Sequence, residues 1–179
     1  MSPAARSTRS PTPDSTFERS PLTVTVRAVP YGHPDAQLLT DLVQAEYVVR
    51  YGSHDESPID TAHFTLPDGY FVVAYDAGVP AAMGGWRRHD GREAEIKRMF
   101  VRDDFRRRGF ARLILAHLED SARENGFDRL VLETGLVQPE AVALYRDCGY
   151  TDVPAFGYYA EEPLSVHLGK SITTQEMSS

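Results

Sequence analysis

The densest concentration of chemistry in this sequence is a basic loop. Arg102, Arg106, Arg107, Arg108 and Arg112 fall within eleven residues of a chain whose formal net charge is -7. Such an island in an acidic protein suits a local anion site, and charge alone leaves a solvated basic face as an equal alternative. Gly109 follows three arginines directly, and Ala111 lies two residues further on. Residues with little or no side chain let a ligand come close to the backbone. A helix starting here would add unpaired N–H groups and the positive end of its dipole, which together favour phosphate. The arginines would add charge-assisted hydrogen bonds to phosphate oxygens. Other reactive residue types offer less. Cys148 is the only cysteine, so it can form neither an intramolecular disulfide nor a cysteine-built zinc site. At a helix end, with no histidine beside it, it reads as a small buried hydrophobe. The six histidines show no ligand spacing, and no metal is expected.

The elements that must position the loop follow from apolar spacing. Residues 1–21 are rich in Ser, Thr, Pro and Arg with no apolar run, and read as a disordered tail, not a signal peptide. A folded domain is expected over residues 22–170, with 171–179 as a second tail. Val24 and Val26 alternate with polar neighbours and predict a strand over Thr23–Ala28. Leu38, Leu39, Leu42, Val43 and Tyr47 have helical spacing, and Gly52 is the natural stop. Tyr70–Tyr75, the turn Asp76-Ala77-Gly78, Val79–Arg87 and Glu93–Val101 predict an antiparallel meander. Gly84-Gly85 inside it marks a bulge or a close backbone approach. Trp86 reads as core or pocket wall. After the basic loop, Leu113, Ile114, Ala116, His117 and Leu118 predict a helix ending at Asn125-Gly126, with His117 on its packed face. Leu130–Leu132 reads as a buried strand, Ala141–Tyr145 as a short helix closed by Gly149. Tyr150–Val153 and Pro163–Leu168 are the last strands. The fold class is therefore α/β (α+β): a mixed, mainly antiparallel sheet of six to seven strands with helices on both faces.

Placed between a strand and an amphipathic helix, Arg106-Arg107-Arg108-Gly109-Phe110-Ala111 matches R/Q-x-x-G-x-G/A. This resembles the pyrophosphate loop of the GNAT family of N-acetyltransferases. Downstream, Leu130-Val131-Leu132-Glu133-Thr134 is similar to the family's fifth strand, and Gln138 to Tyr150 to its final motif. The resemblance covers about residues 22–170 and is strongest from Glu95 onward. It implies an acyl-CoA acyltransferase fold and acetyl-CoA as co-substrate, with no metal. In the family, the strand before the loop splays from its neighbour, and the pantetheine arm lies in the gap as a substitute strand. That places Met99, Phe100 and Val101 at the cofactor. The N–H groups of Arg107 to Ala111 would hold the pyrophosphate, flanked by Arg106 and Arg112. Gln138 stands where many relatives have Asn near the cofactor, which leaves its contact open.

The resemblance also implies catalytic roles. Tyr145 matches a Tyr that protonates or hydrogen-bonds the leaving thiolate; read from spacing alone, it is a core residue beside Val142. Glu95, fourteen residues before Gly109, matches the place of a general base in some relatives. An ion pair with Lys97 or Arg98 is its other reading. Glu133 and Glu140 are lesser candidates for the base. Acceptor choice in this fold lies in the segment after the first helix and the loop between the last strands, here Tyr47–Asp60 and Pro154–Glu162. Tyr51, His54, Glu133 and Tyr158 are the candidate acceptor residues, within a set that includes Asp55, Glu56, Phe156, Tyr159, Glu161 and Glu162. Aromatic and acidic side chains suit a cationic amine, on a small molecule or a protein.

Net charge and composition exclude several classes. A charge of -7 opposes nucleic acid, and only Phe105 and Phe110 interleave with the arginines. No apolar run approaches the roughly 18–20 residues of a membrane span, and a lone cysteine fits a cytoplasmic setting. No G-x-G-x-x-G stands for a dinucleotide fold. A non-catalytic acyl-CoA-binding sensor is the competing reading, and the hydroxyl of Tyr145 weighs against it. The family also brings a homodimer into view by analogy alone.

Overall fold

The computed structural model describes residues 23–174. The expected N-terminal tail and its boundary lie outside the described residues. The chain runs β1 (Val24–Ala28), α1 (Pro34–Tyr51), β2 (Gly69–Asp76), β3 (Val79–Asp90), β4 (Glu93–Val101), α2 (Phe110–Glu124), β5 (Arg129–Gly135), α3 (Pro139–Asp147), β6 (Thr151–Asp152) and β7 (Ser165–Ser171). One seven-stranded sheet results, in the order β1-β2-β3-β4-β5-β7-β6. Every neighbouring pair is antiparallel except β4 with β5. This is the mixed sheet read from the sequence. Among the described residues, no helix is long and apolar enough to cross a membrane.

The continuous apolar run of β2 has a simple cause: both of its faces are covered. Phe71, Val73 and Tyr75 face α1 together with Leu39, Val43, Met83 and Phe100. Val72 and Ala74 face α2, in the core that holds Trp86, Ile96, Ile114, Leu115 and Leu118. Alternation by two along a strand produces this split. Trp86 is fully buried, and its indole N–H donates to Ser121 Oγ at 3.1 Å. The Gly84-Gly85 pair marks both features expected of it. The β3–β4 register shifts there, and a Cβ at Gly84 would lie 2.7 Å from Met99 Sδ and 2.8 Å from Ile114.

Helix ends obey local rules. His33 caps α1 by accepting from the N–H of Asp35, Pro34 opens the first turn, and Gly52 closes it at φ 77°. Of the apolar residues used to predict α1, Leu39 and Val43 are buried, whereas Leu38 and Leu42 are exposed. His117 stands on the exposed side of α2, because the packed stripe runs through Phe110, Ile114, Leu115, Leu118 and Ala122. The last strand also outruns its predicted end. It continues to Ser171, and Ile172 is buried in the core with its carbonyl accepting from Arg123 at 2.6 Å.

Candidate active site

The sheet has one discontinuity. β4 and β5 pair only through Glu93–Arg129, Ala94–Leu130 and Glu95–Val131. Beyond that point both strands continue, β4 bonded to β3 on its far side and β5 to β7 on its own. Two strand edges therefore face each other across a gap. The gap opens into a cavity of about 370 Å³ between Ile96–Met99 and Leu132–Gly135, walled by the end of α1 and by α3. A bulge helps shape it. Arg98 sits at φ 61°, and the β3–β4 register slips there, so Arg98 breaks the strand's alternation.

Tyr145 lies on the α3 wall of this cavity and is 6 % exposed. Its hydroxyl has no hydrogen-bond partner among the described residues, and burial pushes the phenol's pKa well up. Tyr47, expected on the helical face and at the start of the acceptor segment, reaches the same cavity from α1. Its phenol is likewise raised, first by burial and then by Asp55. Tyr51 accepts from Gln138 Nε2 at 2.7 Å. A Cβ at Gly135 would fall 2.2 Å from the Tyr51 oxygen, so only glycine leaves room for this ring. Arg50 adds a second tie from α1 to α3, through Glu140 at 2.8 Å. Gln138 thus lines the cavity with its amide engaged by Tyr51, and Glu140 is spent on Arg50.

The carboxylates separate into two kinds. Glu95 is buried, with Oε2 held at 3.1 Å by both Nε and Nη2 of Arg87, and it is absent from the cavity lining. Glu133 does line the cavity. Burial raises its pKa, against the opposing pull of a 2.7 Å hydrogen bond from Ser165 Oγ and the charge of Lys97. Asp55 is a hub. It pairs with Arg98, accepts from Tyr159 Oη at 2.8 Å and from the Ser57 N–H at 2.9 Å. Burial would raise Asp55, but Lys97, the Ser57 N–H and Arg98 outweigh it and hold the carboxyl below its ordinary value. The two segments expected to choose the acceptor meet at this hub, and His54 lines the cavity beside it. Tyr158 does not. It is 60 % exposed and stacked edge-on against Tyr159, and its neighbour supplies the cavity-lining ring instead.

The basic loop lies at the end of β4, and most of its arginines are engaged within the protein. Arg106 pairs with Glu46 and Asp103, Arg108 with Asp76 at 2.6 Å, and Arg112 with Asp147 at 3.6 Å. Arg107, at φ 59°, has no ion pair among the described residues. Phe110 is buried in the core, and Phe100 packs toward α1. Met99 lines the cavity, while the Val101 carbonyl accepts from Arg106 Nε at 3.2 Å. What remains open is backbone. The N–H groups of Gly109, Phe110, Ala111 and Arg112 have no acceptor among the described residues. With Gly109 at φ 84° they form a concave run of donors at the start of α2.

Comparison with known proteins agrees with this geometry. The family model described as "Acetyltransferase (GNAT) family" matches residues 36–150. An IAA acetyltransferase of Azospirillum brasilense is 35 % identical over 123 residues, covering 68 % of this chain and 80 % of that protein. Among solved structures, a Klebsiella pneumoniae protein of the acyl-CoA N-acyltransferase fold aligns with a TM-score of 0.71 at 24 % identity, over 84 % of this chain and 99 % of that one. A GNAT acetyltransferase of Elizabethkingia anophelis, with acetyl-CoA bound, aligns with a TM-score of 0.62 at 16 % identity, over 83 % and 97 % of the two chains.

Proposed function

The chain belongs to the GNAT acetyltransferase family, and from that premise we propose that it moves an acetyl group from acetyl-CoA to a primary amine by direct attack in a ternary complex. The observation that carries this reading is the gap between β4 and β5, with open strand edges along it, open N–H groups at the loop and an unpartnered phenol on its wall. An extended chain with its own amides satisfies such edges. A pyrophosphate satisfies the N–H run from Gly109 to Arg112.

The reaction asks for two proton movements. The amine nitrogen must lose a proton to attack the thioester carbon, and the sulfur must gain one as the C–S bond breaks. Glu133 suits the first better than Glu95, because Glu133 faces the cavity whereas Glu95 is committed to Arg87. A carboxylate raised toward neutrality is also a stronger base. Tyr145 suits the second. Its raised pKa keeps the phenol protonated, so it meets the developing thiolate as a donor. The net result is transfer of the amine's proton to sulfur, with Glu133 and Tyr145 restored through solvent.

The cavity also favours a cationic acceptor. Arg98 is tied to Asp55 and Lys97 to Ser57 Oγ at 3.1 Å. Glu133 and Glu162 line the same space without an ion pair within 4.0 Å among the described residues. The test combines binding and turnover. Acetyl-CoA at about 100 times its Kd stabilises by roughly 2.7 kcal/mol, a rise of several degrees in Tm that NADH and ATP should not give. Thiol release should then appear with primary amines. No Tm rise with acetyl-CoA, or turnover restricted to anionic acceptors, would overturn the corresponding part of the reading.

A further inference from the structure

The arginine directly before Gly109 points away from the open N–H run. Arg108 lies over the rings of Phe105 and Phe110, at 5.3 and 5.4 Å from their centroids, and its Nη2 ends 2.6 Å from Asp76 Oδ2. Asp76 is the last residue of β2, 9 % exposed, and its Oδ1 has no hydrogen-bond partner among the described residues. A buried carboxylate with one bare oxygen costs stability unless its other contacts repay it. Among the described residues, the one ion pair Asp76 makes is with the loop.

The surroundings point the same way. The β2–β3 hairpin end is the base on which the loop rests. Arg102 donates from its backbone N–H to Ala81 O at 2.9 Å and from Nη1 to Pro80 O at 3.2 Å, and its guanidinium covers the Phe105 ring at 5.3 Å. Arg108 sits between two left-handed residues, Arg107 at φ 59° and Gly109 at φ 84°. A non-glycine residue at such a φ persists only where its surroundings hold it. Fixing the Arg108 side chain fixes the peptide planes on either side, and these set the direction of the first free N–H groups.

We infer that Asp76 is a positioning residue for the cofactor loop: by holding Arg108 inward, it presets the N–H groups from Gly109 to Arg112 for the pyrophosphate of acetyl-CoA. The inference rests on the reading of that loop as the donor's phosphate site. Arg108 then contributes geometry to the site, and no charge contact with phosphate.

The experiment uses the full chain, with acetyl-CoA as the probe. Wild-type binding of acetyl-CoA is measured first; its absence would defeat the functional reading itself, separately from the role of Asp76. In Asp76→Asn, the KM and Kd for acetyl-CoA should rise about tenfold, while kcat at saturating donor and the acceptor KM stay within about twofold of wild type. Arg108→Gln should give a similar loss, and the double variant should be no worse than either single one. If Arg108 contacted phosphate directly, releasing it from Asp76 would leave the donor KM unchanged or lower it, and that result overturns the inference. Additive losses in the double variant would overturn it too. Asp76→Ala removes the bare oxygen and is the second check on folding. Failure of both Asp76 variants to fold would make the residue structural and end the proposal.

Discussion

The two sides of the proposed site are built from different materials. On the proposed donor side the open groups are backbone: strand edges beyond Glu95 and Val131 and, past the end of β4, the N–H run from Gly109 to Arg112. On the other side the lining is built of side chains from distant segments, with Asp55, Arg98, Glu133 and Tyr159 drawn from four parts of the sequence. A backbone site survives almost any substitution that keeps the local conformation. A side-chain site changes with each residue. The first side suits a donor common to a whole family, and the second suits an acceptor that differs from member to member.

Three substitutions and one control sharpen that contrast. Tyr145→Phe removes the hydroxyl that stands where the two sides meet, and kcat should fall roughly 100-fold, with little change in donor or acceptor KM. Unchanged turnover would return Tyr145 to the core. Glu133→Gln should lower kcat/KM by about tenfold near neutral pH and erase the acid limb of the pH profile. Burial raises the pKa of Glu133, which moves that limb to higher pH than an unburied glutamate would give. The same shift has the opposite sign for stability. A carboxyl whose folded pKa is raised favours the fold while protonated, and that contribution is lost as pH rises through the folded pKa. The Gln variant should therefore hold its Tm at neutral pH while losing rate, and a pH profile identical to wild type would remove Glu133 from the mechanism. Smallest in rate is Asp55→Asn. It should raise the acceptor KM a few-fold, leave the donor KM alone, and cost about 3 kcal/mol of stability by stranding Arg98. Tyr158→Ala is its control and should change neither. A larger effect from Tyr158 than from Asp55 would place the acceptor elsewhere.

This contrast also governs what the sequence could reveal. The loop's conformation was legible because local conformation is written in neighbouring residues: three arginines, a glycine, a small residue, then helical spacing. The two-sided burial of β2 was legible for the same reason. The partners of the arginines were not, since Glu46, Asp76 and Asp147 lie far away in sequence and only the folded sheet brings them near. The bulge at Arg98 adds one residue to a strand, and alternation counted along a single strand does not show it. That Tyr159 and not Tyr158 lines the cavity was hidden similarly, because the hydrogen bond from Tyr159 to Asp55 joins residues far apart in the sequence. Glu95 and Glu133 share the same problem. Each is a carboxylate on a strand beside the gap, and the folded positions of Arg87 and Lys97 decide that Glu95 is the ion-paired one.

The parting of β4 from β5 has one more consequence. An unpaired strand edge on the outside of a sheet is a template for aggregation, and proteins cover such edges with charge, proline or bulges. Here two edges are turned toward each other, with α1 and α3 tied over them by Arg50–Glu140 and Tyr51–Gln138. The unpaired edges are thereby kept off the outside of the sheet and enclosed in a recess of about 370 Å³. The fold turns the part of a sheet that most readily sticks to other proteins into the interior wall of its own cavity.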